Sequence, residues 1–340
     1  FTELFSVYPG IAGIIVSPGT RESAVSIAAN RCTCERCQNT PALDWYVNIL
    51  RAMYEPIHKA GKSLIVRDFA YTAEQQSLMI QACEAISDEI IIALKAQPHD
   101  YYPTFPTNPE IGHTGNLREY IEFDTWGQYF GMGIAPMSLA EDIKERLEVC
   151  YEKGAEGVWF RTDWELIHDA SVHATPSLVN LYAGAMLSNN LDIDLDEIYR
   201  VWTAEGLYSP MKCASCSQIP VRPSNPLAYE RLRDFMKASW KAFSKAGYIR
   251  GHQYLESDQP PYTMDKAFEI MTVIHSRDDW DEGASGRVAV TAENMEVIFE
   301  ASNFQEFLKR ADYVSKISKY DSNMFLKLQT TEDTIRMSQN

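Results

Sequence analysis

The residues that could do chemistry are carboxylates standing at or just after short β-branched runs: Glu22, Asp68, Asp100, and the pair Glu122 and Asp124. Two carboxyl groups flanking a glycosidic bond, ~5 to ~9.5 Å apart, suffice to hydrolyse it. Their separation along the chain is immaterial when each ends a different strand. Glu122 and Asp124 are two positions apart, so they project from one side of an extended strand, with Ile121 and Phe123 on the other. Any one of these acids reads equally as a helix cap or an ion-pair partner; it is the set at successive strand ends that points to catalysis. In that reading Glu22 protonates the leaving oxygen, its pKa raised by burial. Asp100 or Asp124 acts as base or nucleophile, with Glu122 a further candidate.

Cations share these positions: Arg21, Arg67, Lys95 and Arg161. A guanidinium grips a carboxylate through two parallel hydrogen bonds, which suits a uronic-acid sugar. Neutralisation of the neighbouring acids is the competing reading. Asp68, Gln128 and Asp163 complete the polar set. Aromatic residues on the same segments are Tyr71, Tyr101, Tyr102, Trp126, Tyr129, Phe130 and Trp164, of which Trp126 and Trp164 are the candidates for stacking on a sugar ring.

Seven cysteines, an odd number, cannot all pair within one chain. Cys34 and Cys37 form one C-x-x-C, and Cys213 and Cys216 another. Together they are a weak candidate for a tetrathiolate zinc site, since the two pairs lie far apart in the chain. A disulfide within the first cluster, or plain thiols, are the alternatives. No glycine-rich dinucleotide or phosphate loop occurs, and no H-E-x-x-H. No cofactor is expected.

These residues must be held by regular elements. Apolar, β-branched runs at 13–17, 63–67, 89–94, 119–123 and 157–160 read as strands buried on both faces. Residues 44–60, 72–87 and 139–153 between them carry helical spacing, the last through Leu139, Ile143, Leu147 and Cys150. Strand alternating with helix implies a parallel sheet. Polar residues following each strand fit a (β/α)₈ barrel, although a doubly wound sheet obeys a similar rule. Five strands are legible, so the expectation is the later part of a barrel over 1–175, followed by an α-helical domain over 176–340. In the latter, helices are expected at 178–187, 195–204, 226–246, 263–276, 291–300 and 303–316, with Asp194 or Asp196 capping the second. A loop is expected over 211–226 and a frayed tail after 330.

The formal charge of −16 repels phosphate backbones, so nucleic acid is not an expected partner. No apolar run approaches the ~18 residues of a membrane span, and a soluble chain is expected, in an unassigned compartment. The opening FTELFSVYPGIAGIIV has neither an initiator Met nor a leader pattern, and reads as a start within a larger fold.

Three segments resemble the α-glucuronidase family of glycoside hydrolases. EYIEFDTWGQYFGMGIAP (119–136) is similar to its seventh-strand segment, and AQPHDYYPTFP (96–106) to its sixth. PSLVNLYAGAMLSNNLDIDLDEIYRVW (176–202) is similar to the helix pair after the barrel. The cysteine cluster, with Asn48 beyond it, resembles related barrel proteins of uncharacterised function. The resemblance implies that Asp100 is a catalytic aspartate, that Glu22 takes the place of the general acid, and that the helical domain mediates dimerisation. It also implies an acid where this chain has Gln128. An amide cannot accept a proton from water, so either Asp124 or Glu122 takes that role, or linkage and stereochemistry differ, or the protein does not hydrolyse. The leading expectation is a glycoside hydrolase acting on a uronic-acid-containing saccharide. The alternatives are a non-catalytic carbohydrate-binding barrel and an assembly protein built around its helical half.

Overall fold

A computed structural model describes residues 1–18, 34–70, 73–98, 100–101, 107–128, 136–163, 172–206, 226–243, 248–249 and 252–253. Five parallel strands form one sheet in chain order: β1 (Gly13–Val16), β2 (Ser63–Arg67), β3 (Ile91–Lys95), β4 (Arg118–Asp124) and β5 (Gly157–Arg161). The sheet curls as half a barrel. Its strands fall where the apolar runs place them, with small differences at the ends. β3 begins at Ile91 and not at Glu89, whose backbone N–H turns to the Ser87 hydroxyl. β4 runs one residue further at each end than expected.

Between the strands lie α2 (Glu35–Asn39) and α3 (Ala42–Lys59), then α4 (Ala73–Glu84) and α5 (Ala140–Lys153); α1 (Thr2–Val7) precedes β1. Strand alternation sorts the side chains. Leu64, Val66, Ile92, Leu94, Ala96, Ile121 and Phe123 pack outward against Tyr46, Leu50 and Ile57 of α3, Met79 and Cys83 of α4, and Ile143, Leu147 and Cys150 of α5. Burial of this layer supplies the main drive for folding. The alternate residues line the concave face, among them Arg67, Lys95, Glu122, Asp124 and Arg161. Ile15 on edge strand β1 belongs to that face and is 55% exposed.

Left-handed glycines stop two of the helices. Gly61 (φ 65°) follows α3, and its N–H bonds back to the His58 carbonyl. Gly154 (φ 83°) caps α5.

The helical segment opens with a short 3₁₀ turn at Val172–Ala174, then α6 (Leu178–Asn189) and α7 (Leu195–Val201), which runs into a π-helical turn at Trp202–Gly206. Asp194 caps α7 by accepting from the Asp196 N–H at 2.9 Å. α8 (Pro226–Phe243) follows, and two-residue strands β6 (Tyr248–Ile249) and β7 (His252–Gln253) pair antiparallel. Sequence patterning gave no sign of this last pair. Leu178, Val179, Ile198, Tyr199, Trp202 and Met236 join the same buried cluster as the sheet. Asn180 fastens the join. Its Nδ2 donates to the carbonyls of Thr125 and Met137, each at 3.0 Å, and its Oδ1 accepts from the Leu139 N–H. The loop expected at 211–225, the helices expected beyond 263 and the tail lie outside the described residues. Among the described helices none is long and apolar enough to cross a membrane.

Candidate functional site

Register decides which side chains meet. Lys95 stands opposite Glu122, Glu122 opposite Trp159, and Asp124 opposite Arg161. Arg67 is level with Ala93, one layer lower, so its long side chain crosses a layer to reach Glu122. The carboxyl ends of β2 to β5 thus bring Arg67, Lys95, Glu122, Asp124 and Arg161 onto one face, as their sequence positions imply.

Arg67 holds Glu122 in a bidentate pair, Nε to Oε2 at 2.6 Å and Nη2 to Oε1 at 2.9 Å. Burial would raise the Glu122 pKa; the hydrogen bonds and charge of Arg67, with help from Lys95 and the Tyr101 hydroxyl, outweigh it and hold the carboxyl below its usual range. Glu122 is therefore an ionised anchor for arginine and is poorly suited to donate a proton.

Asp124 and Asp68 organise loops. Oδ1 of Asp124 accepts from the Trp126 N–H, and Oδ2 accepts from the N–H groups of Gly127 and Gln128, at 2.9 to 3.1 Å. Burial raises its pKa in spite of Arg161 and these three donors. The turn needs Gly127, whose φ is 83°. Asp68 accepts from the Ala70 N–H at 2.8 Å and from Gln76 Nε2 at 2.6 Å, and burial raises its pKa as well. Its carboxylate faces the start of α4, one residue out of phase with Arg67. Trp126 is buried, 1% exposed, and its ring presents no open face to a sugar.

Lys95 is buried, 0% exposed, and donates to Asp100 Oδ1 at 2.9 Å. The Tyr101 N–H donates to the same oxygen at 3.0 Å. The Asp100 side chain is 14% exposed. Beneath it, Asn108 Nδ2 donates to the Lys95 carbonyl, and its own N–H bonds the Ala96 carbonyl, fixing the return of the loop after β3.

Two rings gather the cations. Lys95 Nζ lies 4.0 Å from the centroid of Phe69 and 4.9 Å from that of Tyr101. Arg67 Cζ lies 5.5 Å from Phe69, and Arg161 Cζ 5.1 Å from Tyr101. Through the shared rings, Lys95 Nζ is no more than 9.5 Å from Arg67 Cζ and 10.0 Å from Arg161 Cζ. Like charges at such a separation repel by about 1.7 kcal/mol or more at an effective dielectric of about 20. Each ring contact offsets about 0.5–2 kcal/mol of that, and Glu122 and Asp100 offset more.

Arg161 is held differently. Its Nε donates to the Asp163 carbonyl at 2.9 Å, and its Nη1 to Gln128 Oε1. Among the described residues its hydrogen-bond acceptors are thus neutral, whereas Arg67 and Lys95 each have a carboxylate. Gln128, the residue that breaks the resembled catalytic pattern, leaves the Arg161 charge unneutralised. The Asp163 side chain itself is exposed.

Arg21, Glu22, Trp164, Cys213 and Cys216 lie outside the described residues. Among the described ones no group of three His, Cys, Asp or Glu is placed to hold a metal ion. Cys34 precedes α2 and Cys37 lies within it. Burial pushes the thiols of Cys83 and Cys150 up to about 12, so neither is a nucleophile at neutral pH. Sequence reasoning missed Phe69 and Asn108 altogether, and took Tyr101 for a sugar platform. A signal was there: both aromatics stand one or two residues beyond a strand-end cation or its acid. No protein-family model matches the chain, and a search of curated proteins finds no significant match.

Proposed function

We propose that the chain is a glycoside hydrolase acting on a saccharide that carries a uronic-acid carboxylate. The observation that carries this reading is Arg161, a cation held by neutral acceptors among the described residues, within a group of three that shares Phe69 and Tyr101. A ligand carboxylate would complete the charge balance there. Asp100 is the described acid best suited to proton transfer, because Glu122 is committed to Arg67 and Asp124 to three backbone N–H groups. Lys95 beside it favours the ionised form, that of a base or nucleophile. Glu22 is the candidate acid, on the strength of its sequence position and the α-glucuronidase resemblance.

The test compares hydrolysis of a glucuronosyl oligosaccharide with that of its neutral glucosyl analogue. Asp100→Asn and Glu22→Gln should each lower kcat by about 10²–10⁴, and Arg161→Met should raise KM for the uronate alone. Turnover that survives both carboxyl substitutions would sink the acid–base assignment. The Gln128–Arg161 bond favours one second reading, a barrel that binds acidic sugars without cleaving them. Selective binding of the uronate with no hydrolysis would establish that reading instead.

A further inference from the structure

Tyr101 is 1% exposed, yet its neighbours are charged on every recorded side. Its ring lies under both Lys95 Nζ and Arg161 Cζ, at 4.9 and 5.1 Å. Its hydroxyl accepts from Arg67 Nη2 at 3.3 Å and donates to the Glu122 carboxylate. Its backbone N–H holds Asp100 Oδ1. One residue therefore touches all three cations and both of the acids paired with them. A phenol can do this because its face is electron-rich while its hydroxyl both donates and accepts. Phenylalanine keeps only the first property and leucine neither.

We propose that Tyr101 is the positioning residue of the site: its ring and hydroxyl together set the spacing at which Arg67, Lys95 and Arg161 converge on one ligand carboxylate. The proposal rests on the uronate reading and adds the residue that makes the site selective. Tyr101 does not take part in proton transfer, because burial, and Glu122 next, hold its hydroxyl protonated well above the ordinary phenol range.

The experiment measures equilibrium binding of D-glucuronate and of D-glucose by calorimetry to wild type, Tyr101→Phe and Tyr101→Leu, with a thermal melt of each. A merely structural role for Tyr101 would weaken both sugars alike, so the readout is the ratio of the two affinities. Wild type should prefer glucuronate by at least about tenfold, the weight of one charge-assisted contact. Tyr101→Phe should lower that ratio about threefold through the lost hydroxyl. Tyr101→Leu should abolish the preference. If Leu does not fold, the Phe variant decides alone. A wild-type ratio retained by the folded variants overturns the positioning role and leaves the uronate reading standing. A wild type with no preference for glucuronate overturns the uronate reading, and the positioning role with it.

Discussion

Arg67→Met tests whether the site is held by its charges. Glu122 is almost fully enclosed, its side chain 6% exposed and that of Arg67 21%, and the pair is bidentate at 2.6 and 2.9 Å. Removing one partner of such a pair leaves a buried charge and costs about 3–5 kcal/mol. A chain of 340 residues has an unfolding entropy near ~0.7 kcal/mol/K, so the melting temperature should fall by about 4–7 °C at pH 8. In the wild type the folded pKa of Glu122 is depressed below 4.5. Its contribution is thus fully present above that value and is lost as pH falls through the lower, folded value. In the variant burial acts without Arg67, so the folded pKa rises, and the penalty appears only as pH climbs from 4.5 through the new value. The gap in melting temperature between the two proteins should therefore be small near pH 4.5 and widen toward pH 8. Adding Glu122→Gln removes the stranded charge and should recover most of the loss. Differential scanning calorimetry across that range checks this. A gap that is flat with pH, or a double variant no better than the single, refutes the reasoning.

Two further outcomes follow from packing and burial. Gly184 on α6 lies so close to β5 that an added Cβ would stand 2.5 Å from the Phe160 ring; Gly184→Ala should cost about 1–3 kcal/mol in urea unfolding, and Phe160→Leu in the same chain should restore part of it. Asp124→Asn puts an N–H₂ where backbone N–H groups point and should cost about 1–3 kcal/mol. Burial first, against Arg161 and the three donors, raises the folded pKa of Asp124 above 3.8, so its stabilising contribution is present below that value and is lost as pH rises through the folded one. The deficit of the Asn variant should therefore be greatest near pH 4 and shrink toward pH 7, as thermal melts will show.

The strands were legible because β-branched runs such as SLIVR and EIIIAL admit few other structures, and their burial on the helix side is seen in Leu64, Val66, Ile92 and Leu94. Parity along β4 was legible for the same reason, and it put Glu122 and Asp124 on the concave face together. What each acid does there was not legible. Sequence position treats Asp68, Glu122 and Asp124 as equivalent strand-end carboxylates, whereas their roles depend on partners that register brings in. Glu122 meets Arg67 across 55 positions, and Asp124 meets the N–H groups of a turn shaped by Gly127. Tyr101 was read as a surface for sugar because loop aromatics often are. Its burial under two cations depends on how the chain folds back at Asn108, and no periodicity encodes that.

A chain of formal charge −16 is an unexpected host for an acidic ligand, and salt dependence separates the two scales involved. The ionic screening length is about 8 Å at physiological salt, so most of the surface acids are screened from a ligand in the concave face. Lys95, by contrast, is within 10.0 Å of Arg161 and closer to Arg67, in a region where burial weakens screening. If the distributed charge governed binding, added salt would relieve repulsion and glucuronate would bind more tightly. If the three cations govern it, added salt weakens their grip and affinity falls, while glucose binding stays level. The second pattern is expected between about 20 and 500 mM salt, with a fall of roughly three- to tenfold. An affinity for glucuronate that climbs with salt would mean that the cations are spent on Glu122, Asp100 and Gln128, with no charge left for a ligand.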